Sequence, residues 1–143
     1  MDYEKYAKEL IHYMVENQQN FKFLNHDVDE IARGEGAVLI YLVEVHNGVN
    51  ACEISQHFGI NTSRVAAMLK NLSKKGYIQR LDDQDDRRKI RVYITDKGKA
   101  FALERRKEIE DYFVKLLSQL GEKDVKEYLR LSRKFNQIVK EMK

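Results

Sequence analysis

Between Asn61 and Lys75 the sequence NTSRVAAMLKNLSKK gathers Thr62, Ser63, Arg64, Lys70, Asn71, Lys74 and Lys75, with no acidic side chain among them. Hydroxyl, amide, ammonium and guanidinium groups at this density are donors for phosphate oxygens and base edges. Arg64 can offer a bidentate pair to guanine O6 and N7, a contact worth about 1–3 kcal/mol of discrimination. Thr62 and Ser63 suit phosphates or base edges, while Lys70, Lys74 and Lys75 suit phosphates and add affinity with little sequence choice. Further along, Arg87, Arg88 and Lys89 follow Asp82, Asp83, Asp85 and Asp86. From Arg80 to Lys89 four basic and four acidic residues cancel. That tract can approach a polyanion only if its carboxylates lie at its base or pair internally, as Asp86 with Arg88 would.

Such groups need a scaffold, and the apolar residues supply one. Val65, Leu69 and Leu72 recur on one helical face with Met68 beside them, so a short helix is predicted with an apolar back and a cationic front. Asn61 is its N-cap, and Gly76 its left-handed C-terminal residue. Just before it, Ile54 and Phe58 give a second short amphipathic helix, broken by Gly59. Two short helices joined through a glycine turn, the second one basic, form a helix-turn-helix pattern. A helix of this kind is expected to enter the major groove of duplex DNA. After Gly76 the period changes to alternation in Tyr77–Leu81 and Ile90–Ile94. These runs predict an antiparallel hairpin with a charged tip, a wing.

Helices are expected on both sides of this unit. Tyr6, Ala7, Leu10, Ile11, Met14 and Val15 mark one from Tyr3 to near Phe23, with enough apolar surface to suggest a partner. Leu24–Ile31 reads as a connection, and Gly34–Val45 as a further helix ending at the Asn47-Gly48 turn. Thr95 should cap a long helix from Asp96 to Leu120, striped by Phe101, Leu103, Ile109, Tyr112, Phe113, Leu116 and Leu117. Gly121 ends it, and a last helix runs from Lys123 to Met142 with Val125, Tyr128, Leu129, Phe135, Ile138 and Val139. The terminal helices are expected to share one helical layer and to form a dimer interface. The fold class is mainly α with a small β-hairpin.

Charge is distributed in keeping with this. Residues 1–60 carry a net −6, residues 61–100 a net +6 and residues 101–143 a net +3. Positive charge concentrated beside a negative block points to a specific anionic docking face rather than general stickiness. The chain has no proline and no apolar run long enough to span a bilayer, and its start lacks a signal-peptide pattern, so a soluble, cytoplasmic protein without membrane contact is expected. The single cysteine, Cys52, excludes an intramolecular disulfide. It is read first as a small buried or half-buried residue opening a helix, and in the alternative as an oxidation sensor. His12, His26, His46 and His57 show no ligand spacing, so no metal and no cofactor are expected. No nucleophile-and-base motif or phosphate loop marks an enzyme.

The order of these pieces resembles the MarR family of bacterial winged helix-turn-helix transcription regulators. The matching residues are GEGAVLIYL (Gly34–Leu42), EISQHFGINTSRVAAMLKNLSKKGYIQR (Glu53–Arg80), DDRRKIRVYIT (Asp85–Thr95) and Lys97-Gly98. The resemblance implies one MarR-like domain over residues 1–143, with a winged part near 34–95 and dimerisation helices near 1–24 and 96–143. It implies a triangular homodimer on double-stranded DNA at a pseudo-palindromic operator, acting as a repressor relieved by a small-molecule effector. Thr62, Ser63, Arg64, Lys70 and Asn71 would face the major groove. Asp86 would steady the wing and Arg88 would enter the minor groove, flanked by Arg87 and Lys89. An effector pocket would draw on His12, Tyr41 and Phe101. Ala67 and Arg64 depart from the residues many members carry, which bears on the operator sequence. A redox-sensing regulator acting through Cys52, or a winged-helix protein-interaction module without DNA binding, are the alternatives.

Overall fold

A computed structural model of the protein describes residues 2–16, 33–86 and 89–142, with the side chains of residues 13–16 left aside. Among these residues there are six helices and three strands. They run α1 (Tyr3–Glu16), α2 (Glu35–Glu44), β1 (Val49–Asn50), α3 (Ala51–Phe58), α4 (Thr62–Lys74), β2 (Ile78–Asp82), β3 (Ile90–Ile94), α5 (Asp96–Leu120) and α6 (Glu122–Glu141). The part of the first helix expected beyond Glu16, and the connection Leu24–Ile31, lie outside the described residues.

The chain divides into two compact units, residues 14–108 and residues 1–13 with 109–143. The winged unit is built on the apolar backs of short helices. Ile54 and Phe58 of α3 and Val65, Leu69 and Leu72 of α4 are all buried, with Val38, Leu39 and Leu42 of α2. Each such side chain contributes about 1.5–3 kcal/mol on leaving water, which is what holds helices of 8 and 13 residues that would not form alone.

Local chemistry fixes the helix ends. Asn50 Oδ1 accepts from the Glu53 amide at 2.9 Å, and Asn61 Oδ1 accepts from the Arg64 amide at 2.8 Å. Gly59, at φ 65°, ends α3 in left-handed geometry, and Gly76 takes φ 79° just past the C-cap Lys75 of α4. The expected caps at Asn61 and Gly76 are therefore both present.

The wing is a hairpin of β2 and β3, with Ile78 opposite Ile94 and Asp82 opposite Ile90. A third strand was not anticipated: β1 pairs antiparallel with β3, Val49 opposite Val92, giving the order β1-β3-β2. Two residues are too short to show alternation, so no period in the sequence marks this strand. Thr95 opens α5 as expected, its Oγ1 accepting from the Gly98 amide at 3.0 Å and donating to the Gly76 carbonyl at 2.7 Å.

In the helical unit, Ala7, Leu10 and Ile11 of α1 are buried, as are Ile109, Phe113 and Leu117 of α5 and Val125 and Leu129 of α6. The described apolar face of α1 is thus covered within its own chain, rather than left open for a partner. The exposed apolar surface sits on α5 and α6 instead. Leu116, Leu120, Leu131, Phe135, Ile138 and Met142 are all exposed, Phe135 by 71% and Met142 by 81%. Ion pairs tie the unit together, Lys8 Nζ to Glu110 at 3.8 Å and Arg133 to Glu9.

Candidate nucleic-acid interface

Helix α4 turns its cationic residues outward in two rows rather than one face. With Val65, Leu69 and Leu72 buried, the opposite row is Ser63, Ala67, Lys70 and Lys74, all exposed. The second row, Arg64, Met68, Asn71 and Lys75, runs along one flank, where Arg64 and Met68 are half-buried. Thr62 is exposed at the N-terminal end. Free backbone amides of the first turn there add a positive end suited to a phosphate.

The flank row meets an acid that α4 itself lacks. Asn71 Nδ2 donates to Glu35 Oε1 at 2.8 Å and lies 3.2 Å from Oε2, while Lys75 Nζ is 3.6 Å from Glu35 Oε2. Glu35 opens α2, 36 residues earlier in the chain. Nothing local to α4 announces it. Asn71 and Lys75 were expected to face nucleic acid, and the fold gives each of them Glu35 as a partner.

At the C-terminal end of α4 the last carbonyls are satisfied from α5. Lys97 Nζ donates to the Lys75 carbonyl at 2.9 Å and stands 5.4 Å from the centre of the Tyr77 ring. Tyr77 in turn stacks on Phe101 at 4.6 Å. A cation placed against helix carbonyls is favourable there, because the C-terminal end carries the negative pole.

The wing's acidity is resolved at its base. Asp83 is buried, and its Oδ2 accepts from Arg91 Nε at 2.9 Å while its Oδ1 accepts from the Asp85 amide at 2.8 Å. The Asp85 amide, the Arg91 charge and the Asp86 amide hold the Asp83 carboxyl below the usual carboxylate range, against the opposing effect of burial. Arg91 Nη1 also donates to the Gly48 carbonyl at 2.8 Å, fastening the hairpin to the turn before β1. Internal pairing of a wing carboxylate was expected for Asp86 with Arg88, which lies outside the described residues; Asp83–Arg91 is a wing pair among the described ones. Asp86 is half-buried and its carbonyl accepts from the Lys89 amide at 2.9 Å. Lys89 is exposed. Arg87 and Arg88 lie outside the described residues.

Neither Asp83 nor Arg91 was singled out by the sequence. The signal available was weak: an arginine inside an alternating strand, facing an aspartate across a hairpin whose register was unknown.

The three residues named for an effector pocket, His12, Tyr41 and Phe101, belong to two units of the chain. His12 is exposed on α1 in the helical unit. Tyr41 is buried in the winged unit, 4.4 Å from the His57 ring and 5.7 Å from Phe58, and burial followed by the Glu53 charge pushes its phenol up. Phe101 is occupied by its stack on Tyr77. A shallow cavity of the winged unit lies elsewhere, between α2 and α5, lined by Ile40, Val43, Glu44, Lys99, Leu103 and Arg106. There Arg106 Nε pairs with Glu44 at 3.2 Å, and its Nη1 is buried without a hydrogen-bond partner among the described residues.

Cys52 is an exposed free thiol in the first turn of α3, not the buried or half-buried residue expected. It shares an open hollow with Asn50, Glu53, Lys89 and Ile90, so the fold brings it beside the wing.

A family model described as the MarR family matches residues 37–90, from α2 through the start of β3. Over these residues, 54 of the chain's 143, the chain is similar to the MarR family. Its similarity to individual members is low. The HTH-type transcriptional regulator SarZ of Staphylococcus haemolyticus is 26% identical over 61 residues, 43% of this chain and 42% of that protein. The HTH-type transcriptional regulator BilQ of Clostridioides difficile is 24% identical over 101 residues, 68% of each chain. The match therefore spans less than half the length of the first relative and about two thirds of the second. Among solved structures, Streptococcus pneumoniae FabT in complex with DNA superposes with a TM-score of 0.58 at 19% identity, covering 97% of this chain and 96% of that one. At this identity the superposition shows a shared fold. The order of α2, the paired short helices and the wing is thus a fold this chain shares with that structure.

Proposed function

We propose that this chain is a MarR-family regulator, a homodimeric, sequence-specific DNA-binding repressor that a small-molecule effector releases from a pseudo-palindromic operator. The observation that carries the proposal is the outer row of α4. Ser63, Lys70 and Lys74 are exposed directly opposite the buried Val65, Leu69 and Leu72, so the helix turns a cationic, hydrogen-bonding face without carboxylates to solvent. Such a row fits phosphates and base edges of a major groove. Internal neutralisation of Asp83 by Arg91 removes one of the wing's carboxylates from the balance of repulsion and supports the same reading.

Dimerisation is supported by the exposed apolar rows of α5 and α6, which water would otherwise cover at a cost. For the effector, the cavity between α2 and α5 offers an apolar wall of Ile40, Val43 and Leu103 beside Lys99 and the Nη1 of Arg106, which has no hydrogen-bond partner among the described residues. A small apolar anion suits it. The exposed Cys52 beside Lys89 favours a second reading, in which oxidation of the thiol moves the wing. Release of DNA by peroxide from the wild type but not from Cys52→Ser would establish that route.

A fluorescence titration of the protein into labelled duplex DNA at two salt concentrations tests the main proposal. Tight binding that weakens steeply with salt is expected, the logarithmic slope growing by about 0.9 for each phosphate neutralised. Absence of binding at low salt would leave the fold as a protein-interaction module.

A further inference from the structure

The turn between α2 and β1 carries Asn47-Gly48, a pair with a chemistry of its own besides its part in the turn. Once the Gly48 amide nitrogen has given up its proton to base, it can attack Asn47 Cγ. A new C–N bond closes a five-membered succinimide, and the Asn47 Nδ2 group leaves as ammonia after taking up a proton. Water then opens the ring at one carbonyl or the other, giving aspartate or isoaspartate. Glycine in second place leaves the attacking nitrogen with no side chain to hinder it. The fold cannot exchange that glycine for a slower residue. Gly48 takes φ 83°, and a Cβ there would lie 2.9 Å from Tyr93 Cε1. Protection has to come from hydrogen bonds.

The wing supplies them. The Gly48 amide donates to the Val92 carbonyl at 2.9 Å, which withholds its proton from base. Asn47 Oδ1 accepts from the Ile94 amide at 3.0 Å, which ties the electrophilic carbon to β3. Arg91 Nη1 donates to the Gly48 carbonyl at 2.8 Å, and the Nε of the same guanidinium is held by Asp83 at 2.9 Å. Asn47 is exposed while Gly48 is buried, so water reaches the side chain but not the nitrogen that must react. We propose that Asn47 is a latent deamidation site closed by the wing, which reacts only in molecules whose Asn47-Gly48 turn has come off β3. Such an opening frees only a turn and a two-residue strand, and so lies below global unfolding in cost. Isoaspartate adds one backbone carbon between residues 47 and 48, so the bonds to Ile94 and Val92 no longer form together in their present register.

The test incubates the full chain at mildly alkaline pH, folded and in urea, and follows Asn47 by mass spectrometry of the peptide that contains it. Conversion to aspartate and isoaspartate is expected to be slower in the folded chain by about tenfold or more. Arg91→Ala should speed the folded reaction by about threefold to tenfold, the worth of one typical hydrogen bond. Hydrogen exchange of the Gly48 amide reads the same opening and should speed up by the same factor. Val125→Ala removes a buried side chain of the helical unit, lowers general stability without touching the turn, and should change neither rate. In urea all three chains should convert alike.

Folded wild type that converts as fast as the chain in urea would overturn the inference, and so would an Arg91→Ala rate equal to that of the wild type. Equal acceleration in Val125→Ala would overturn it as well, since unfolding of the whole chain and not release of the turn would then open the site. An Asn47 that stays intact in urea would show that the pair is not reactive at all.

Discussion

Arg64 and Lys74 occupy different rows of one helix, and the difference predicts different phenotypes. Arg64 is half-buried on the flank in the first turn, where a guanidinium can meet a base edge; Lys74 is exposed on the outer row near the C-terminal end. Arg64→Ala should lower the preference for a selected operator over random DNA, by up to about 1–3 kcal/mol for a lost bidentate contact. Lys74→Ala should weaken both DNAs alike and reduce the salt slope by up to about one. Competition binding against random duplex at two salt concentrations reads both effects, and an unchanged preference in Arg64→Ala would remove arginine 64 from base reading. Asp83 makes a residue-scale prediction in pH. Its folded-state carboxyl titrates below the ordinary aspartate value, so the unfolded state takes up the proton first as acid is added. Its contribution to the wing is therefore complete above the ordinary carboxylate range and is lost as pH falls through the lower folded value. The Asp85 amide, bonded to Asp83 Oδ1, reports this directly. Its chemical shift should titrate with a midpoint below that of a free aspartate in the wild type, and lose that transition in Asp83→Asn.

At the scale of elements, the start of α5 is held by a close approach that only glycine permits. A Cβ on Gly98 would collide with the Tyr77 carbonyl oxygen, a backbone atom that cannot swing aside. That carbonyl is already committed to the Thr95 amide at 3.0 Å, and Thr95 Oγ1 in turn caps Gly98. Gly98→Ala should push α5 off the end of α4 and destabilise the winged unit by about 1–3 kcal/mol, the usual cost of overpacking, readable as a lower urea midpoint. The sequence carried this region well because its signals are local. Asn61, Gly76 and Thr95 mark helix ends by what they do to the residues within three or four positions, and the buried trio Val65, Leu69 and Leu72 repeats at the helical period. The contacts that did not show in the sequence are those made across the fold. Glu35 reaches Asn71 from 36 residues away, and Arg91 finds Asp83 only once the hairpin register is set. The split of the cationic side chains into two rows belongs to the same class, since which row lies open depends on where α2 docks. Composition likewise suggested burial for Cys52, although a residue in the first turn of α3 is placed by the facing of Ile54 and Phe58.

For the whole molecule, the exposed rows of α5 and α6 bear on the proposed homodimer. Leu116 and Leu120 on α5 and Leu131, Phe135 and Ile138 on α6 leave a large apolar surface on a chain of 16.9 kDa, and Phe135 alone is 71% exposed. A second copy covering that surface would gain about 25 cal/mol for each Å² removed from water. In the homodimer proposed above, two copies related by a two-fold axis would bind two half-sites roughly 34–36 Å apart. Once one helix is bound, the other is held near its half-site, and the joint affinity can exceed that of a single copy by about 10²–10⁴. Phe135→Asp places a charge in the centre of this surface while leaving Val125 and Leu129, the buried side of α6, untouched. The variant should keep its helical content, sediment at the mass of one chain where the wild type sediments at two, and lose about 10²-fold or more in affinity for a full operator. Its affinity for a single half-site should change little. Wild-type protein that sediments as one chain at micromolar concentration, or a Phe135→Asp variant that binds the full operator undiminished, would separate DNA recognition from dimerisation in this chain.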